Sequence, residues 1–137
     1  MRHDAPVLVI DDDTIDVMAL QRAFAAEGLS HPLSNARDGH EALEMLRELQ
    51  DGGGELPGLI ILDLRMPGMG GLEFLRERQH HPEFTTIPAV VLSSSALDSD
   101  REACHRSGAA SYIRKPETQA GYTQLARALH QYWTLCE

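Results

Sequence analysis

The sequence predicts an α/β domain in which a five-stranded, doubly wound parallel sheet is covered by helices on both faces. Three observations carry this. The runs Val7-Leu8-Val9-Ile10, Leu59-Ile60-Ile61-Leu62 and Ala89-Val90-Val91-Leu92 are apolar at every position, as strands buried on both faces must be. The stretches between them repeat apolar residues at helical spacing, so strand and helix alternate, and right-handed crossovers of that kind build a parallel sheet. The chain has 137 residues, the size of one compact domain, so residues 1–137 are expected to form a single unit.

Taken in order, the first strand is followed by Ile15, Ala19, Leu20, Ala23 and Phe24, the apolar stripe of a first helix. Residues 32–36 alternate less cleanly and suit an edge strand. Asp38 followed by Glu41 has capping-box spacing, which satisfies the free amides of a first helical turn, and Ala42, Leu43, Leu46 and Leu49 continue that helix. The Gly-rich stretch from Asp51 to Gly54, with Pro57 and Gly58, reads as a loop into the third strand, because it lacks the Lys-Ser/Thr ending of a phosphate cradle. His80 and His81, followed by Pro82, mark a helix end; adjacent on a helix they point about 100° apart and make no ready chelate. Ser99 and Glu102 repeat the capping-box spacing before the fourth crossover helix. Ser111-Tyr112-Ile113 forms a short fifth strand, and Leu125, Leu129 and Trp133 the stripe of a last helix.

Charge narrows the functions. Lys plus Arg is 12 against 21 Asp plus Glu, a net charge of -9, so the average field repels phosphate backbones and anionic lipid. Direct nucleic-acid binding is disfavoured. No apolar run approaches the ~20 residues that span a bilayer, so no membrane partner is expected. The first strand follows Pro6 with no apolar leader, and Cys104 and Cys136 are too few for a disulfide framework and form no Cys-x-x-Cys pair. The expected compartment is the cytoplasm.

Chemistry concentrates where the strands end. In an open α/β sheet the ligand site lies beyond the carboxyl ends of the strands. Asp11, Asp12 and Asp13 follow the first strand, Asp63 the third, Ser93 the fourth and Lys115 the fifth. Carboxylates brought together without compensation repel and raise one another's pKa, so the cluster makes sense around a cation. Oxygen ligands favour a hard ion, and Mg²⁺ fits because it accepts a few carboxylates and shares phosphate oxygens. In such a site an aspartate can attack phosphorus, while a lysine and a hydroxyl stabilise phosphoryl oxygens.

The segments Val9-Ile10-Asp11-Asp12-Asp13, Leu62-Asp63-Leu64-Arg65-Met66-Pro67-Gly68, Val91-Leu92-Ser93-Ser94 and Tyr112-Ile113-Arg114-Lys115-Pro116 together resemble the receiver domain of bacterial two-component response regulators. The runs Asp38-Gly39-His40-Glu41-Ala42-Leu43 and Gly108-Ala109-Ala110 add to the likeness, which covers nearly the whole chain. Each motif alone is weak; four in order, each after its strand, are specific. The resemblance implies a flavodoxin-like sheet of order 2-1-3-4-5. It implies that Asp63 is the phosphoacceptor, that Asp11 and Asp12 hold Mg²⁺ together with Asp63 and the backbone carbonyl of Arg65, and that Ser93 and Lys115 contact the phosphoryl group. It places Tyr112 at the family's switch aromatic and makes the Lys115–Pro116 bond cis. The partners it implies are a histidine kinase or histidine phosphotransfer protein upstream and a protein target downstream, engaged through the fourth helix, fifth strand and last helix. No DNA-binding module follows, so a stand-alone receiver is expected, and the Tyr-Trp tail and the loop before Leu59 are similar to receivers that accompany bacteriophytochrome-type kinases.

Plainer roles compete for some residues. Asp13 reads as a helix cap beside the acidic pair rather than as a ligand. An EF-hand is excluded by the missing Gly and distant Glu. Cys104, beside His105, reads as an inert thiol. The segment from Tyr132 to Glu137 is apolar for a chain end and offers either packing of the last helix or a homodimer contact. Arg65 departs from the smaller polar residue common at its place in receivers, and with Ser95 it bears on water access to the phosphate. Two rivals remain. A haloacid-dehalogenase-type phosphatase would also use an aspartyl phosphate, but its second Asp, the acid and base, is Arg65 here. A flavodoxin-like flavin binder would meet repulsion from the strand-end acids.

Overall fold

The structure is a computed structural model and describes residues 4–135. Its elements are β1 (Val7–Ile10), α1 (Thr14–Ala26), β2 (Leu33–Ala36), α2 (Gly39–Asp51), β3 (Leu59–Leu62), α3 (Gly71–Arg78), the single turn α4 (Pro82–Thr85), β4 (Ala89–Ser93), α5 (Asp98–Arg106), β5 (Ser111–Arg114) and α6 (Gln119–Leu135). The strands form one sheet in the order β2-β1-β3-β4-β5, and every pairing is parallel. This is the doubly wound arrangement and strand order expected from the sequence. None of the described helices is long and apolar enough to cross a membrane.

Alternation along each strand divides the core in two. Val7, Val9, Leu59, Ile61, Val90 and Leu92 face α1 and α6, packing with Leu20, Phe24, Leu125 and Leu129. Leu8, Ile10, Ile60, Leu62, Ala89 and Val91 face the other way, against Leu43 and Leu46 of α2, Phe74 and Leu75 of α3, and Cys104 of α5. Strands buried on both faces must be apolar at every position, which is why β1, β3 and β4 stand out in the sequence. The edge strands β2 and β5 are only partly buried and read less clearly.

Register positions the site. Ile10 is level with Leu62, so Asp11 and Asp63 leave adjacent strands at the same height. Ser93 ends β4 opposite Arg114, which brings Lys115 to the same edge. The Asp63 N–H donates to Ile10 O at 2.9 Å and the Lys115 N–H to Ser93 O at 2.9 Å, extending the ladder into the site-bearing residues.

Helix starts divide into one success and one correction. Asp38 caps α2 as expected, its Oδ1 accepting from the Glu41 N–H at 2.8 Å. The Ser99–Glu102 box does not form: α5 starts at Asp98 after Leu97, with no side-chain cap, and Ser99 lies inside the first turn. Ser95 turns the chain there instead, its Oγ accepting from the Leu97 N–H at 3.3 Å. The inferred stripe of α1 also needs correction, since Ile15 is 75% exposed while Val17 joins Ala19, Leu20, Ala23 and Phe24 in the core. The capped first turn follows β1 at the carboxyl edge of the sheet, and Ile15 there is left to solvent. Leu49 of α2 is likewise more exposed than its spacing suggests. His80 and His81 fall between α3 and α4, the helix end expected, and Pro82 opens the extra turn. The side chain of Trp133 and the whole of Cys136 and Glu137 lie outside the described residues.

Candidate functional site

Asp11 follows β1 and is 5% exposed, the most deeply placed of the acids. Its Oδ1 accepts the Asp13 N–H at 2.9 Å, and its Oδ2 accepts from Lys115 Nζ at 3.2 Å. Asp63, after β3, accepts its neighbour's Leu64 N–H on Oδ1 at 2.7 Å and Lys115 Nζ on Oδ2 at 3.1 Å. Asp12 stands beside them, so that one oxygen each from Asp11, Asp12 and Asp63 lie within 4.8 Å of one another. Asp13 is set apart as the N-cap of α1, its Oδ1 accepting from the Ile15 N–H at 2.9 Å.

Lys115 is the centre of charge balance. Besides Asp11 and Asp63 it donates to Asp16 Oδ2, and Asp16 in turn accepts from the Tyr122 hydroxyl at 3.3 Å. Burial by itself would weaken the ammonium's hold on its proton, but the hydrogen bond to Asp16 and the fields of Asp11 and Asp63 outweigh it and push the pKa above the ordinary lysine value. Burial pushes the Asp11 carboxyl up to about 6, with Asp63 adding to the rise; the Asp13 N–H and Lys115 oppose it only in part. Burial and then the Asp16 charge push the Tyr122 hydroxyl up to about 12. Burial therefore disfavours the charged Asp11 carboxylate by more than the Asp13 N–H and Lys115 return. Three carboxylates converging at one edge offer the oxygen ligands that a hard divalent cation takes, and such an ion would favour their charged forms.

A second set of contacts runs from the same edge toward α5. Ser93 is buried, and its Oγ accepts from the Ser95 N–H at 3.1 Å. The Ser95 carbonyl accepts from the Tyr112 hydroxyl at 2.9 Å, and the Ser95 hydroxyl donates to Asp100 Oδ2 at 2.5 Å. The same carboxylate oxygen accepts from Arg65 Nη2 at 3.1 Å. The Tyr112 ring is partly buried, with the Arg101 guanidinium carbon 6.0 Å from its centroid.

Of the residues singled out from sequence, Asp11, Asp12, Asp63 and Lys115 converge directly. Ser93 and Tyr112 meet through Ser95, and the Arg65 side chain turns outward to Asp100. The expectation of a cis Lys115–Pro116 bond is not met: the bond is trans, the intrinsically favoured isomer of X–Pro bonds. Asp16, Asp100 and Tyr122 were missed. Asp16 and Asp100 look like ordinary first-turn acids of helices, and only contacts across the fold give them partners.

The family model of the response regulator receiver domain matches residues 7–127. The chain belongs to the response regulator receiver family. Among relatives of this receiver, the probable methanogenesis regulatory protein FilR2 of Methanothrix harundinacea is 32% identical over 127 residues, covering 93% of this chain and 82% of FilR2. Response regulator Rcp1 of Synechocystis is 27% identical over 128 residues, 93% of this receiver and 87% of Rcp1; its Mn²⁺-bound crystal structure superposes with a TM-score of 0.82 at 26% identity, covering 94% of each chain. The phosphorylated cyanobacterial phytochrome response regulator RcpA superposes with a TM-score of 0.86 at 29% identity, over 96% of this receiver and 94% of RcpA. The receiver acts as a phosphoacceptor in two-component signalling, where the family takes phosphate from histidine kinases or phosphotransfer proteins. The phosphatase alternative is not favoured.

Proposed function

We propose that Asp63 is the phosphoacceptor, that Asp11, Asp12, Asp63 and the Arg65 backbone carbonyl hold Mg²⁺, and that Ser93 and Lys115 receive the phosphoryl oxygens. The observation that carries this reading is the convergence of Lys115 Nζ, 3.1 Å from Asp63 Oδ2, with the three carboxylates at one sheet edge. The Mn²⁺ in the structure of Rcp1 supports a divalent ion, and the all-oxygen donor set supports Mg²⁺. When bound, the ion would offset the negative charge that accumulates on the phosphoryl oxygens.

In the forward step a carboxylate oxygen of Asp63 attacks the phosphorus of a partner's phosphohistidine, a P–O bond forms, the P–N bond breaks, and the imidazole leaves with the electron pair. The Leu64 N–H holds Oδ1 of Asp63, leaving Oδ2 on the Lys115 side for the attack. Lys115 stays protonated and exchanges a carboxylate contact for a phosphoryl oxygen. Ser93, at the end of β4 on the same sheet edge, supplies a neutral donor. The new group adds about two negative charges. Tyr112 then follows Ser93, changing the surface formed by α5, β5 and α6 that meets a downstream protein. Exposed Tyr132 on α6 lines a shallow apolar cavity together with Ile113, Leu125 and Leu129, and with the exposed Leu135 farther along the same helix it supports self-association of the receiver through this face.

The test is intact mass after incubation with phosphoramidate and Mg²⁺. The receiver should gain one phosphoryl group and Asp63→Asn none; a gain in both proteins removes Asp63 from the role. Sedimentation of the protein with and without residues after Tyr132 tests self-association, and identical behaviour as a monomer defeats it.

A further inference from the structure

The bridge between Arg65, Asp100 and Ser95 joins three chain segments that the phosphorylation chemistry does not require to touch. Arg65 lies in the loop after β3, two residues beyond Asp63; Ser95 lies in the loop after β4, two residues beyond Ser93; Asp100 is in the first turn of α5. One oxygen of Asp100 accepts both the Ser95 hydroxyl at 2.5 Å and the Arg65 guanidinium at 3.1 Å. Ser95 is also the residue whose N–H holds Ser93 Oγ and whose carbonyl holds the Tyr112 hydroxyl. Fixing Ser95 therefore fixes the positions of both Ser93 and Tyr112.

We propose that Asp100 is a positioning residue that latches the resting surface through Arg65 and Ser95, and that a phosphoryl group on Asp63 opens the latch by competing for Arg65. The proposal rests on the reading of Asp63 given above. Arg65 is 71% solvent-exposed along its side chain, so its guanidinium has room to change partners. A dianionic phosphoryl group with three acceptor oxygens binds guanidinium more strongly than a single carboxylate oxygen does. Once Arg65 leaves, Asp100 keeps a carboxylate with only one of its two donors, and the segment from Ser93 to Ser95 is held less firmly to α5. The Tyr112 hydroxyl, bonded to Ser95 O, moves with that segment. A negative charge added at Asp63 is thus relayed to β5 by exchange of one cation between two anions.

Phosphorylation and switching are separable in one experiment. The receiver labelled with 3-fluorotyrosine has three tyrosines, and Tyr112→Phe assigns the ¹⁹F resonance of Tyr112. Its position is recorded in Mg²⁺ without and with phosphoramidate, for the wild type, Asp100→Asn, Arg65→Met and the double variant. Asp100→Asn keeps an acceptor for Ser95 but removes the charge; Arg65→Met is a change at an exposed side chain, so it leaves the fold intact. The expected result is that both single variants, without phosphate, move the Tyr112 resonance toward its phosphorylated position. The ratio of switched to resting protein should rise about threefold, the scale of one exposed ion pair, and the double variant should move no further than either single one. An unmoved resonance in unphosphorylated Arg65→Met overturns the latch, even if Asp100→Asn shifts it, because Asp100 would then act on Ser95 alone. Wild type that takes up phosphate while the variants rest unchanged refutes the latch and leaves Asp63 in its role; wild type that takes up none removes both.

Discussion

Lys115 Nζ stands 3.1 Å from Asp63 Oδ2 while also bonding Asp16, a carboxylate in the first turn of α1. One cation therefore serves acids from β1, α1 and β3, and the edge of the sheet depends on it. Replacing Lys115 with Met leaves Asp11, Asp16 and Asp63 partly buried without their common counter-charge. The metal-free protein should lose roughly 3 kcal/mol, read as a lower urea midpoint, and Mg²⁺ should restore more stability to this variant than to the wild type. Equal Mg²⁺ effects on both proteins would show that Lys115 and the ion do not share the same charge deficit.

Gly71, the first residue of α3, approaches the backbone of Asp63 so closely that a Cβ there would sit 2.2 Å from Asp63 O. Backbone must shift to admit a methyl group. Gly71→Ala should cost about 1–3 kcal/mol and slow phosphorylation by phosphoramidate, because the Asp63 carboxylate moves with its main chain. A variant with wild-type thermal stability and phosphorylation rate contradicts this packing.

Burial, and secondarily the charge of Asp100, push the Cys104 thiol up to about 11 from 9.0. The folded state then keeps its thiol proton through a pH range in which the unfolded chain loses it. This contribution is intact below pH 9 and is lost as pH rises from about 9 to about 11, by at most about 3 kcal/mol. In a Cys136→Ser background, Cys104 should resist iodoacetamide at pH 8 until urea unfolds the protein, and Cys104→Ala should flatten the decline in stability between pH 9 and 11. Rapid native alkylation would contradict the buried thiol.

The two capping-box spacings give a paired comparison. Asp38→Ala removes the bond to the Glu41 N–H and should cost about 1 kcal/mol. Ser99→Ala removes no cap and should change stability by less than about 0.5 kcal/mol. Equivalent losses in chemical denaturation would place a functional cap at Ser99.

That comparison also shows where local reading ends. The strands β1, β3 and β4 are legible because burial on both faces leaves no polar position, and Asp38 because its cap acts within one turn. The Ser99 spacing is equally good in sequence, but Ser95 makes the turn first through bonds to Asp100 and the Leu97 N–H. Ile15 fits a helical stripe, yet nothing stands over it at the sheet edge. In the site, Asp11, Asp12, Asp63, Ser93 and Lys115 are legible because each lies at or within two residues of the carboxyl end of a strand and the strands are in register. Asp16 and Asp100 carry no such marker: their partners Lys115 and Arg65 lie 99 and 35 positions away, and only the packed fold brings them together.

The most direct measurement locates the phosphoryl group itself. Receiver treated with phosphoramidate and Mg²⁺ is reduced with borohydride, which converts an aspartyl phosphate to homoserine, then digested and sequenced by tandem mass spectrometry. Homoserine at position 63 alone, abolished by chelation of the metal, is the expected result. Homoserine at Asp11 or Asp12, or at no aspartate despite uptake of phosphate, would contradict the assignment of Asp63.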